Sequence, residues 1–246
     1  MIQLLSGAMA RKRPEGRLDQ LLDCATRVFI EKGYRRTQMA DVAREMGVSA
    51  GTLYGYVEGK EALFHLLIDR AFTGQPTGAP ELPVRTPKPG ATVARLRERL
   101  AAEAALPRLA AAIARSRARD ARRECEDVLG ELYDLVARTQ AGTALLERSA
   151  LDLPEIAPAF YLEMRRDLIA RVTRWLERRI RTRQLRAVPD VAIVARLLLE
   201  TITWFARHRL RDRDTPPVDD ALARATTIDF LVAGLLPTPS SGRTSS

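Results

Sequence analysis

The sequence is poor in the residues that most often advertise chemistry. Its 246 residues include only two histidines, His65 and His208, and two cysteines, Cys24 and Cys125. No ligand-like spacing links these four, so the common zinc and thiol constellations are excluded and no metal or cofactor is expected. Two cysteines require no disulfide and suit a reducing compartment. Aromatic residues make up 5% of the chain, whereas Ala, Leu and Arg are abundant, a balance that favours helices over sheets. No run has the apolar length of a membrane span, and the N-terminus lacks a basic region followed by a sustained apolar run and a cleavage site. Asp and Glu lie mainly among arginines, as on solvated helix surfaces, and form no catalytic constellation. The expectation is a cytoplasmic protein without enzymatic activity and without a membrane partner.

Lysine is scarce too: Lys12, Lys32, Lys60 and Lys88 are the whole set. Of the net charge of +9, little belongs to the first 72 residues, where eleven Lys or Arg stand against nine Asp or Glu. Net charge is therefore no argument for a nucleic-acid partner, because phosphate binding depends on where cations sit.

What is present is strongly patterned between residues 37 and 64, TQMADVAREMGVSAGTLYGYVEGKEALF. Thr37 reads as an N-cap, Met39, Val42, Ala43 and Met46 recur at helical spacing, and Gly47 stands where a left-handed C-cap residue is needed. Ser49 then caps a second short helix, whose Leu53 and Val57 lie four apart and can pack on the first. That leaves Ser49, Ala50, Gly51, Thr52, Tyr54 and Gly55 for an outer face. A helix-turn-helix has this arrangement, since its second helix anchors one face and offers the N-terminal end of the other to the major groove. An ordinary helical hairpin fits the short motif equally well.

The neighbouring sequence decides between them. Leu18, Leu21, Leu22, Ala25, Val28 and Phe29 form an apolar stripe ahead of Gly33-Tyr34, and Lys60-Glu61-Ala62-Leu63-Phe64 opens a further helix. Together with Thr37, Asp41-Val42-Ala43, Gly47-Val48-Ser49, Gly51-Thr52-Leu53-Tyr54 and Tyr56, this run resembles the N-terminal domain of the tetracycline-repressor (TetR) family over about residues 15–72. On its own chemistry Lys60 is either a solvated cation offset by Glu61 or a phosphate ligand, because a cation in the first helical turn opposes the macrodipole. Tyr54 is either a core aromatic or a hydroxyl bonded to phosphate. The resemblance implies phosphate contacts for both, while Tyr56 is left between backbone contact and packing. The base-reading positions carry no bidentate Arg or Asn, so hydroxyls, close backbone approach and DNA shape are expected to supply specificity.

Residues 1–14, with Arg11-Lys12-Arg13, read as a flexible basic arm, 73–90 as a Pro/Gly-rich loop or linker, and 237–246 as a disordered tail. Residues 91–236 read as helical throughout, with segments near 91–105, 107–118, 121–149, 155–184, 189–210 and 217–236 broken at Pro107, Pro154, Pro189 and Pro216-Pro217. Phe160, Met164, Leu168, Val172, Trp175, Leu176 and Ile180 make one stripe; Val191, Val194, Leu197, Leu198, Ile202 and Phe205 make another, with Ile193, Leu199 and Trp204 elsewhere on the helix. Such a circumference needs burial from more than one direction, by an internal core or by a second subunit. The resemblance implies a dimer bundle, and Leu168, Val172, Trp175, Val194, Leu198, Ile202 and Phe205 are its candidate contacts. It also implies an effector pocket, for which Tyr133, Phe160, Tyr161, Met164, Trp175 and Trp204 are candidate lining groups and a helical core is the plain alternative.

The composite expectation is an all-α protein with an N-terminal helix-turn-helix domain and a C-terminal helical domain for ligand and dimer contacts. Its partners would be a palindromic double-stranded operator, a second copy of itself and an unknown small-molecule effector. The alternatives are a transcriptional activator, or an intracellular helical binding or enzymatic domain with a degenerate helix-turn-helix.

Overall fold

The computed structural model describes residues 16–73, 80–214 and 216–237. The basic arm, much of the first part of the linker and most of the tail lie outside the described residues. The first unit contains α1 (Arg17–Lys32), α2 (Met39–Met46), α3 (Ala50–Leu53) and α4 (Lys60–Thr73). The remainder contains α5 (Ala91–Glu103), α6 (Pro107–Ala114), α7 (Ala121–Arg138), α8 (Gln140–Ala150), a π-helical turn (Pro158–Met164), α9 (Arg165–Arg181), α10 (Val191–Ala206), a 3₁₀ turn (His208–Arg211) and α11 (Asp220–Leu235). Among the described residues the only β pairing is an isolated parallel bridge between Val57 and Val84. The all-α expectation therefore holds.

Local sequence explains the boundaries of the first helices. The stripe of α1 is buried except for the half-buried Leu18, and the helix ends at Gly33, whose φ of 82° is open to glycine and whose N–H donates to Phe29 O. A Cβ at Gly33 would also come within 2.7 Å of Asp152 Oδ2 and push that carboxylate off the Arg35 N–H, so the positive φ demands glycine and the close approach adds to its cost of replacement. Gly47 closes α2 in the left-handed region, as its position suggested. The N-cap of α2 is Gln38 rather than Thr37. The Gln38 N–H donates to the Asp41 carboxylate, whereas the Thr37 hydroxyl turns back to Gly33 O at 2.7 Å. Thr37 was misplaced by one residue because its hydroxyl finds a backbone acceptor in the preceding turn instead of the following one.

The C-terminal segments are more divided than the sequence suggested. The 121–149 segment breaks at Thr139, whose hydroxyl bonds Leu135 O. Pro107 begins α6 at its first position, where the missing N–H costs nothing. The 155–184 segment contains the π-helical turn opening at Pro158, so the single stripe drawn through Phe160, Met164 and Leu168 changes register there.

Two cores hold the elements together. One packs Leu21, Phe29, Val42, Leu53, Val57, Leu63 and Leu67 with Leu96, Leu100, Leu145, Leu146 and Phe160 from farther along the chain. Burial of each leucine contributes about 1.5–3 kcal/mol, so α5 and α8 are substantial supports for the helix-turn-helix. The other core joins α6, α7, α9, α10 and α11 around Trp175, Leu176, Leu198 and Ile202. At its edge the buried Arg179 guanidinium bonds the Glu124 carboxylate and the carbonyls of Ala112 and Arg115. A buried charge is tolerable when its donors are satisfied in this way.

Candidate nucleic-acid interface and internal cavity

The short helix α3 is anchored from one side only. Leu53 and Val57 are fully buried, while Ser49, Gly51 and Thr52 are exposed and Tyr54 is 51% exposed. Ala50 and Gly55 are half-buried at the margin of this face. Ser49 Oγ and Thr52 Oγ1 lie 3.0 Å apart and order one another. The exposed surface is therefore small, hydroxyl-bearing and close to the backbone, as the sequence suggested. Tyr56 belongs to the core: its side chain is buried and its carbonyl accepts the Val84 N–H. Thr37 is buried with its hydroxyl committed, so its side chain positions the turn ahead of α2 and presents nothing to a ligand.

Lys60 resolves its conflict with the helix dipole inside the protein. Its ammonium donates to the carbonyls of Tyr34, Arg35 and Thr37 at 3.1, 3.4 and 3.1 Å. It also sits 4.7 Å from the centre of the Tyr34 ring. That ring packs edge-on against Phe64 with centroids 5.0 Å apart. Burial, with Glu61 nearby, pushes the Tyr34 phenol up to about 12. The same turn is held from the other side by α8 and the residues after it. Asp152 Oδ2 accepts the Arg35 N–H at 2.9 Å, and Arg148 donates to Lys32 O. Sequence reasoning missed Asp152 and Arg148 because they lie more than 110 residues from their partners, and no local pattern marks them.

A cavity of about 130 Å³ lies where the two cores meet. Its apolar wall includes Phe72 of α4 with Leu100, Leu135, Phe160, Met164 and Leu199. Its charged groups are Arg207 paired with Glu147 of α8, Arg165 paired with Glu200, and Glu103, whose partner Arg138 stands outside the lining. Of the six lining residues expected from the sequence, Phe160 and Met164 reach this cavity. Tyr133 is buried elsewhere and donates to Phe205 O, and Trp175 is fully buried with its N–H on Glu124. Tyr161 and Trp204 are exposed and do not line it. Periodicity could not separate these aromatics, because the π-helical turn shifts the register and only tertiary packing chooses which face meets the cavity.

The expected dimer residues also need correction. Val172, Trp175, Leu198 and Ile202 are buried within this one chain, and Leu168 lines the cavity. Val194 is half-buried and Phe205 is exposed. Apart from Phe205, the exposed apolar residues of α10 and α11 are ones that the sequence did not single out as contacts. Ile193, Leu197 and Trp204 form a stripe on α10, and Leu222 and Phe230 form another on α11, with Leu197 58% and Phe230 75% exposed.

Residues 21–67 match the family model described as bacterial regulatory proteins, tetR family. Over 53 residues the chain is 40% identical to the fatty acid metabolism regulator protein of Bacillus subtilis, a match covering 22% of this chain and 26% of that protein. Over 48 residues it is 40% identical to the HTH-type transcriptional repressor KstR2 of Rhodococcus jostii, covering 20% and 24% respectively. The alignments thus span about a quarter of each relative's length. The whole architecture resembles the ketosteroid transcriptional regulator KstR2 of Mycobacterium tuberculosis, with a TM-score of 0.58, 16% identity and coverage of 92% of this chain and 98% of that one. It also resembles AibR, solved with isovaleryl coenzyme A and operator DNA, with a TM-score of 0.52, 15% identity and coverage of 88% and 98%. At these identities the structural likeness speaks for the fold.

Proposed function

Through residues 21–67 the chain belongs to the tetR family of bacterial regulatory proteins, and from that premise we propose that it is a dimeric, ligand-responsive repressor of transcription. The reading rests above all on one observation. A single cavity is lined by Phe72 of α4 and by Thr143 and Glu147 of α8, two helices that pack against the DNA-reading head. In this proposal Ser49, Gly51 and Thr52 meet base edges, Tyr54 bonds phosphate, and Ala50 and Gly55 permit close approach of the backbone. The repressor assignment follows the name of the Rhodococcus relative.

The effector is an apolar molecule with an anionic or strongly polar end. Leu100, Leu135, Phe160 and Leu199 suit the apolar body, and Arg165 and Arg207 are the cations available to the other end. Isovaleryl coenzyme A, with which the AibR neighbour was solved, likewise joins an apolar acyl group to an anionic part, although the anionic part is by far the larger. An anionic end that engages Arg207 competes with Glu147, and Glu147 sits on the helix that leads to Arg148 and Asp152 at the α1–α2 turn. Occupancy is thereby coupled to the pose of the reading head, and reciprocity requires DNA to weaken effector binding by the same factor.

A duplex selected from a random pool should bind the protein, and an acyl thioester or apolar acid should release it. Asp152→Ala should preserve effector affinity while reducing the effector's influence on DNA affinity. A compound that binds tightly yet leaves the DNA dissociation constant unchanged is not the effector. Coupling of wild-type size in Asp152→Ala would remove the α8 route.

A further inference from the structure

The second half of the Pro/Gly-rich linker is docked on the reading head. The Val84 N–H donates to Tyr56 O at 2.8 Å, and the Glu58 N–H donates to Val84 O at 2.9 Å. The Glu58 carboxylate then accepts the Thr86 N–H at 2.8 Å. Leu82 and Val84 pack on the first core, so strand-like alternation turns Arg85 outward. These bonds land on the turn that leaves the reading helix, between the exposed Tyr54 and the start of α4. Arg85 and Lys88 are both exposed, and neither has an ion pair or side-chain hydrogen bond among the described residues. Arg27 and Arg70 of the first unit and Arg95, Arg97 and Arg99 of α5 instead face carboxylates.

We propose that segment 81–90 is part of the DNA-binding surface, with Arg85 and Lys88 as phosphate contacts beside the reading helix. This rests on the DNA-binding reading above and extends it to a segment outside the helix-turn-helix. Paired backbones lie about 4.8 Å apart, and each DNA strand places a phosphate about every 3.4 Å of rise. An element bonded to the 56–58 turn therefore meets phosphates neighbouring those reached from Tyr54. The carboxylate closest to the pair on the partner segment, Glu58, is turned onto Thr86 N–H. Glu81 lies at the opposite end of the segment. Because the backbone of the segment is already bonded to the 56–58 turn, only the two side chains have ordering left to lose on binding.

The test compares full-length wild type with Arg85→Ala, Lys88→Ala and the double variant. Arg123→Ala serves as the control, removing an equal charge from an exposed face of α7. Binding to a selected duplex and to a random-sequence duplex is followed as salt is varied. Each strap variant should make the slope of log affinity against log salt shallower by about 0.9, and the double variant by about 1.8. Affinity should fall by similar factors on both duplexes, while Arg123→Ala keeps the wild-type slope. A double variant with the wild-type slope overturns the inference and leaves the repressor reading standing. Wild-type protein that binds neither duplex overturns both.

Discussion

The Lys60 ammonium lies among the carbonyls of Tyr34, Arg35 and Thr37 and beside the Tyr34 ring. Its place in the first turn of α4 makes a phosphate ligand attractive, yet three backbone carbonyls already occupy its three N–H donors. A phosphate would have to compete with them. Lys60→Met should therefore act first on the fold, lowering stability by about 1–3 kcal/mol as the carbonyls lose charged donors. DNA affinity should drop with it, with little change in salt slope. Denaturant unfolding and a salt series distinguish the cases. Unchanged stability with a slope shallower by about 0.9 would make Lys60 a phosphate contact instead. Tyr54 differs from its neighbour Tyr56 for an equally tertiary reason: the first faces solvent beside Thr52, while the second is inside the core that Val57 completes.

At the scale of elements, α4 joins the reading head to the rest through an acidic hub. Asp69 receives hydrogen bonds from Arg95 and Arg99 of α5. Burial alone would raise the Asp69 carboxyl, but the two arginines outweigh it and hold its pKa below the usual carboxylate range. A folded-state pKa below the unfolded one gives stability that is present above the unfolded value, about 3.9, and lost as pH falls through the folded value. Asp69→Asn should thus unfold more easily than wild type at pH 7, with the two proteins converging in acid. Parallel stability curves from pH 7 to about pH 3 would show that the hub contributes nothing. The π-helical turn matters at this scale too. By shifting register before α9 it sends Phe160 and Met164 to the cavity while Tyr161 faces outward.

At the scale of the whole molecule, the proposed dimer predicts that a second copy covers the exposed stripes of α10 and α11. An isologous pairing across them would place two reading heads under one two-fold axis, matching a palindromic operator. Leu197→Glu or Phe230→Lys should yield folded monomers with weakened binding to a full operator, measured by sedimentation and by titration. Val172→Glu, which places a charge in the core of one chain, should unfold it. Wild-type protein that sediments as a monomer at micromolar concentration, or a Leu197→Glu variant that is still dimeric, would place the interface elsewhere.

The sequence by itself determined the helix-turn-helix, because its signals are local. Gly33 and Gly47 need left-handed backbone at fixed offsets, and Leu53 and Val57 share one side of a short helix, so residues within a few turns suffice to state the fold. The helical character of the remainder was legible from periodicity for the same reason. Tertiary structure alone decided which apolar residues of α9 and α10 face the core, which line the cavity and which stay exposed, since periodicity identifies a stripe without saying what will cover it. It also decided the roles of Asp152, Lys60 and Val84. Each is set by a backbone group brought close only when distant segments pack, and a buried N–H or carbonyl takes whichever partner the fold delivers.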